Sequence, residues 1–183
     1  MKYLIASDIH GSSYYCEKLL EAFEREQADR LLLLGDLLYH GARNDLPAEY
    51  STKKVFALLN GIKDRILAVR GNCDSEVDQM VLEFPIMADY LLLQEEGLTI
   101  FATHGHLYGP ENLPAVSGLD VILTGHTHIS KCRKITDSLW YMNPGSVSIP
   151  LDHRKIHGYM TLEKGLFSWK NVEDGREYRS LQL

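Results

Sequence analysis

The chain has 183 residues, 45% hydrophobic and 24% charged, the balance of a soluble globular protein with room for a core of useful size. Its net charge of −6 argues against a long nucleic acid as partner, because an acidic surface gains little from counterion release. No run approaches the ~20 apolar residues of a membrane span, the apolar stretch before Asp8 is too short for a signal peptide, and three scattered cysteines without a CxxC pair point to a reduced, cytoplasmic protein.

Tyr3 to Ala6 reads as a short strand. Tyr14 to Glu26 follows with Leu19, Leu20 and Phe23 at helical spacing. Leu31 to Leu34 is a fully apolar run, Lys53 to Ile62 a second amphipathic helix, and Ile66 to Val69 a third apolar run. Ser75 to Phe84 is predicted to be a helix with Ser75 as N-cap and Asp78 three residues on, stopped by Pro85. The second half changes character. Tyr90 to Gln94, Leu98 to Thr103, Val121 to Thr124, Leu139 to Met142, Gly158 to Leu162 and Leu166 to Asn171 all read as strands, several separated by glycine-containing turns. The order predicts an α/β protein, a two-sheet β-sandwich flanked by helices, in a single domain over residues 1–183. The longest loop, Tyr39 to Glu49, is polar, and long loops in compact domains often carry function.

The informative residues follow the strands. Asp8-Ile9-His10, Gly35-Asp36, Gly71-Asn72-Cys73-Asp74, His104-Gly105-His106 and Gly125-His126-Thr127-His128 each come just after an apolar run, at the edge where α/β sheets bind ligands. Asp8 and His10 sit two apart, as do His126 and His128, so alternation along an extended chain would aim each pair at one ion. Carboxylate, imidazole and amide groups suit divalent Mn, Fe, Zn, Ni or Co. Each segment alone has a plain reading: Asp36 as a helix cap, Asn72 as a turn residue, the histidines as ordinary partly buried side chains. Five such segments in this order leave little room for that reading. The set is too large for one ion that also keeps a water, and about right for two ions sharing a carboxylate.

These motifs, D-x-H, G-D, G-N, H and G-H-x-H, resemble the calcineurin-like metallophosphoesterase superfamily. The longer stretches Gly71 to Met80, Gly109 to Pro114 and Asn143 to Pro150 are similar to the YfcE-type small phosphodiesterases. The resemblance implies an α-β-β-α fold and a metal-dependent phosphodiesterase acting on a small diester. Asp8, His10, Asp36 and His128 would hold one ion, and Asp36, Asn72, His104 and His126 the other. The ions, Mn2+ or else Ni2+, Fe2+, Zn2+ or Co2+, would lie ~3.5–4 Å apart and hold the attacking hydroxide. A homodimer or homotetramer is also implied. The alternatives are a phosphomonoesterase or nuclease of the superfamily, and a non-catalytic protein-binding scaffold like that of the retromer coat, although such scaffolds usually lose part of the ligand set.

One position departs from the wider superfamily. Cys73 stands where a histidine usually serves as proton donor, which casts doubt on monoesters with poor leaving groups; the thiol is either a catalytic group or a small buried hydrophobe. His40 is either a substrate contact or a loop histidine, and Arg43 and Asn44 are weaker candidates on the same loop. His106 serves beside the phosphate or in a structural role. Asp74 is expected to cap the helix after it, Asn143 to Ser146 to form a turn bracing the site, and His153 and His157 to be solvated.

Overall fold

Alternation of side chains along two short strands sets the layers. In β1 (Tyr3–Ala6), Leu4 and Ala6 face one side and Tyr3 and Ile5 the other; in β2 (Arg30–Leu33), Leu31 and Leu33 join the first group and Leu32 the second. Strands that are apolar on both faces belong to a buried parallel pair, and β1 and β2 run parallel from Tyr3 opposite Arg30 to Ala6 opposite Leu33. The computed structural model describes residues 1–183 and extends this pair into two mixed sheets.

The remaining strands are β3 (Ile66–Ala68), β4 (Tyr90–Glu95), β5 (Leu98–Thr103), β6 (Val121–Leu123), β7 (Lys131–Lys134), β8 (Trp140–Asn143), β9 (Gly158–Glu163), β10 (Leu166–Asn171) and β11 (Glu177–Gln182). The first sheet has the order β11-β10-β9-β1-β2-β3 and the second β4-β5-β6-β8-β7. Ile5, Leu32 and Leu34 from the first sheet pack between the layers against Ile100, Val121, Leu123 and Met142 of the second. The other face of the first sheet is covered by α1 (Ser13–Arg25) and α2 (Thr52–Asn60), through Leu19, Phe23, Val55 and Leu59. Ser12 and Ser51 start these helices, each accepting a hydrogen bond from the backbone N–H three residues on. The predicted two-sheet sandwich is therefore present, with helices on one side. The outer face of the second sheet, around Phe101, Ile122 and Tyr141, is covered instead by irregular chain carrying Tyr108, Val116 and Leu119.

Three elements depart from the sequence reading. The third helix, α3, spans only Glu76–Gln79 instead of running to Phe84. Ser75 caps it in a reciprocal pair with Asp78, but the Gln79 side chain then bonds the carbonyls of Leu82 and Phe84 and the N–H of Ile86. That clamp holds an unwound segment whose Leu82, Phe84 and Ile86 enter the helix-side core. Strands β7 and β11 were not expected. Both are polar edge strands, where charges guard an open edge against pairing and hide the apolar alternation.

Candidate metal centre

The connections after β1, β2, β3, β5 and β6 meet at one end of the sandwich. Asp8, His10, Asp36, His126 and His128 all have positive φ, between 50° and 67°. Left-handed backbone is unfavourable for residues with a Cβ and is found where surrounding structure enforces it. The convergence of Asp8 with His10 thus comes from tight left-handed turns and not from the extended alternation expected from sequence, and His126 and His128 turn to different partners, His104 and His10, and not to one point as that alternation would have it.

Hydrogen bonds from outside hold these turns. The Asp8 carbonyl accepts from the hydroxyls of Ser146 (2.9 Å) and Ser148 (2.8 Å). Asp74 accepts from the backbone N–H groups of Asp36, Leu37 and Gly71 at 2.7–2.9 Å. It therefore braces the Asp36 turn and does not cap α3, a role that Ser75 fills. The Asn143 amide donates to the Gly125 carbonyl at 2.7 Å and so ties the turn after β8 to the His126 loop. Close approach explains two glycines. A Cβ on Gly71 would strike the Asp36 carboxylate, and one on Gly125 would strike Ser7.

The donor atoms face one another. His10 Nε2 lies 3.1 Å from His128 Nε2, and the two lie 3.7 and 3.3 Å from Asp8 Oδ1. His104 Nε2 lies 3.0 Å from Asn72 Oδ1 and 3.2 Å from His126 Nδ1. Asp36 Oδ2 sits between the groups, 3.6 Å from His10 Nε2 and 3.4 Å from His104 Nε2. The ring orientation of three histidines is fixed by backbone carbonyls. His10 Nδ1 donates to Tyr39 O (2.8 Å), His104 Nδ1 to Leu34 O (2.6 Å) and His128 Nδ1 to Ile149 O (2.7 Å). A carbonyl can only accept, so each Nδ1 carries a proton and each ring turns its Nε2 inward. This is the usual support of a metal-binding histidine.

The same atoms are uncomfortable without a cation. Asp8 Oδ1 is buried and has no hydrogen-bond partner, and an unsatisfied buried polar atom calls for an ion, a water or a functional role. Two lone pairs 3.1 Å apart on His10 and His128 repel unless a proton or a metal stands between them. Without metal, protons take that place. Burial disfavours the charged form of His104, but the hydrogen bond with Asp36 and the charge of Asp8 outweigh it and raise its pKa to about 9. His10 is raised likewise by Asp8 against the same burial effect. Burial also opposes ionisation of Asp8 and Asp36, yet the imidazoles around them hold both carboxyls below their usual range. The residues present therefore fit divalent cations. Asp8, His10 and His128 form one cluster of donors, and Asp8, Asp36 and His104 another.

An open cavity of about 490 Å³ leads to these donors. His10, Asp36, Asn72, Cys73, His126 and His128 line its floor, and Tyr39, Ala42, Arg43, Asn44 and Leu151 its walls. Cys73 reaches the cavity, its backbone N–H donating to Asp36 Oδ1 at 2.8 Å and its sulfur accepting from the Asn72 amide at 3.3 Å. His40 is not among the lining residues; it packs edge-on against Tyr39 and Tyr50, with a buried Nδ1 that has no partner. His106 packs edge-on against His104 and lines a separate recess with Leu107 and Tyr108. His157 is not solvated: it stacks on Tyr15, and its ring nitrogens meet Tyr15 Oη (2.9 Å) and Val147 O (2.9 Å). Tyr39 opens the loop that the sequence reading singled out, and Ser146 lies in the turn that was expected to brace the site and does so through Asp8. The sequence reading missed Leu151 as a wall and the second hydroxyl, that of Ser148.

The sequence matches the calcineurin-like phosphoesterase superfamily domain over residues 1–164, and the chain belongs to that superfamily. It is 51% identical over 150 residues to the phosphodiesterase YfcE of Escherichia coli K12, covering 82% of this chain and 81% of the relative. A phosphodiesterase of Methanocaldococcus jannaschii is 30% identical over 190 residues, covering 100% of this chain and 99% of the relative. The solved structure of YfcE, described as a phosphoesterase from E. coli, superposes with a TM-score of 0.93 at 44% identity, over 99% of this chain and 98% of that one. The predicted family and fold are thus confirmed. No helix is long and apolar enough to cross a membrane.

Proposed function

We propose that the protein hydrolyses small phosphodiesters with the help of two divalent cations, Mn2+ in the first instance, held by one domain. The observation that carries the proposal is the place of Asp36, whose Oδ2 lies within 3.6 Å of His10 on one side and 3.4 Å of His104 on the other. One cation would be held by Asp8, His10, His128 and Asp36, the other by Asn72, His104, His126 and Asp36. Such a pair supplies charge neutralisation of the phosphate oxygens and a water acidic enough to attack near neutral pH.

The chain's own groups do the rest. The carbonyls on Tyr39, Leu34 and Ile149 keep the imidazoles oriented, and the braces on Asp8 and Asp36 keep the carboxylates in place, so little reorganisation is needed during reaction. Arg43 and Asn44 line the cavity and would contact a bound phosphate from its wall. Cys73 argues for diesters over monoesters. Burial and the Asp36 charge push its thiol up to about 12, which leaves it a weak proton donor, best matched to leaving groups that need no proton. The named relatives, both phosphodiesterases, support the same substrate class.

The test is hydrolysis of bis-p-nitrophenyl phosphate and p-nitrophenyl phosphate by metal-stripped protein with Mn2+, Ni2+, Zn2+ or Mg2+ restored. Metal-dependent diester hydrolysis, lost in Asp36→Asn, is expected. A folded protein inactive with every metal would overturn the proposal. Cys73→His should raise the monoester-to-diester ratio by at least about tenfold, since a positioned general acid contributes 10²-fold or more; an unchanged ratio would remove Cys73 from substrate selection.

A further inference from the structure

A second recess lies beside the metal centre. It has a volume of about 450 Å³ and is lined by Ile129, Ser130, Lys131, Cys132, Asp152, His153, Arg154 and Arg179. Its residues continue directly from those of the metal cavity: Ile129 follows His128, and Asp152 follows Leu151. The two stretches are joined by the Leu151 N–H donating to the His128 carbonyl at 3.0 Å. Lys131 is three residues past His128, which limits the backbone distance between them to at most about 11 Å.

The recess is basic in an acidic protein. Lys131, Arg154 and Arg179 come from three separate elements, β7, the turn after Leu151 and β11, and none of them is in a salt bridge, while the chain as a whole carries −6. The one carboxylate, Asp152, is engaged by the Arg154 backbone N–H at 3.0 Å. Protection of an open sheet edge explains lysine on β7. It does not explain Arg154, which lies on a turn, nor Arg179, whose Nη1 is buried without a hydrogen-bond acceptor. A buried guanidinium N–H with no acceptor lacks the partner that such groups normally have, and a phosphate oxygen is the acceptor that suits it best. The Arg154 and Arg179 guanidinium groups also lie over the Tyr178 and Trp169 rings, 4.7 and 5.7 Å from the centroids, which limits their wandering.

We propose that this recess is a subsite for a second phosphate carried by the substrate itself, so that the preferred diester has an arm ending in a phosphate. The inference rests on the phosphodiesterase reading and names its substrate class. Lys131, Arg154 and Arg179 hold the terminal phosphate while the diester phosphorus lies over the donor cluster. The chain reach of at most about 11 Å between the His128 and Lys131 backbones lets one small molecule span both sites, and no polymer is required.

The experiment compares the 5′-p-nitrophenyl ester of thymidine 5′-phosphate with the same ester bearing a 3′-phosphate, using metal-loaded wild type and a Lys131→Gln/Arg154→Gln variant. The 3′-phosphate should lower KM about tenfold in the wild type with kcat little changed, the effect of one charge-assisted contact set. In the variant the two esters should have equal KM, and hydrolysis of bis-p-nitrophenyl phosphate should be unaltered. That last activity tests the phosphodiesterase reading separately. Equal KM values in the wild type, or a tenfold difference that survives in the variant, would overturn the subsite. If no ester turns over, calorimetric binding of thymidine 3′,5′-bisphosphate decides the matter: a Kd about tenfold weaker in the variant supports it, and an equal Kd overturns it. An effect of millimolar inorganic phosphate on bis-p-nitrophenyl phosphate turnover that the variant lacks would assign the recess to a free ion and overturn the tethered-phosphate proposal.

Discussion

Asp8, His10 and His128 form the inner half of the donor cluster, and all three are buried. In the outer half His104 is buried, His126 is half-buried and Asn72 is exposed. In the proposed centre the inner half would have an anionic ligand of its own in Asp8, whose backbone carbonyl accepts from two serine hydroxyls, whereas the outer half would have only a neutral amide in that place. A charged ligand in a braced, dry setting binds a cation more tightly than an amide at the edge of an open cavity. The contrast teaches that two ions proposed on nearly the same ligand types need not be held alike. In the proposed centre Asp36 would be shared by both halves and would be the carboxylate ligand of the outer ion.

Substitutions separate the halves by size of effect. Asp36→Asn touches both and should lower diester hydrolysis by about 10³-fold, as loss of a preorganised electrostatic group does; steady-state assays at saturating metal check this. Asp8→Asn should come next, with the inner ion lost even in excess metal, visible as a fall in bound metal after dialysis. Asn72→Ala should weaken only the outer ion, by about 10–100-fold in affinity, and excess Mn2+ should restore its activity. An Asn72→Ala variant beyond rescue by metal would remove the distinction between the halves.

Protonation provides a further contrast. His104, raised to about 9, and His10, raised likewise, are more basic in the folded metal-free protein than in the unfolded chain. A raised folded-state pKa adds stability that is complete below about 6.5 and is lost as pH rises towards about 9. Asp8 and Asp36, held below their usual range, contribute fully throughout that window. The metal-stripped protein should therefore lose thermal stability between pH 6.5 and 9, while the rise in Tm on adding Mn2+ should grow, because metal displaces those protons. Thermal melts with and without chelator across this range read both trends. The smallest expected effect is that of Ser146→Ala, which removes one of two hydroxyls on the buried Asp8 carbonyl. A loss of about 1 kcal/mol, or ~2–4 °C in Tm, is expected, with the inner ion weakened more than the outer.

The sequence was most legible where polar residues interrupt apolar runs. The donors Asp8, Asp36, Asn72, His104 and His126 all follow strands found within a residue of their predicted bounds. The manner of their convergence was not legible, because the enrichment of Asp and His in left-handed backbone is too weak to assign it at Asp8, His10, Asp36, His126 and His128 from residue type; the braces that hold the Asp8 and Asp36 turns, from Ser146, Ser148 and Asp74, come from distant chain. The end of α3 was hidden for a similar reason, since the Gln79 clamp competes with a helical pattern that continues past it. The polar edge strands β7 and β11 carry too little alternation to be read, and with them the basic recess that they frame went unseen.

Calorimetric titration of Mn2+ into metal-stripped protein, with diester hydrolysis followed on the same samples, bears most directly on the shared-carboxylate arrangement. Two equivalents should bind, the first more tightly, with activity appearing as the second fills, and Asp36→Asn should lose the weaker site. Full activity at one equivalent, or two intact sites in Asp36→Asn, would contradict a centre built around Asp36.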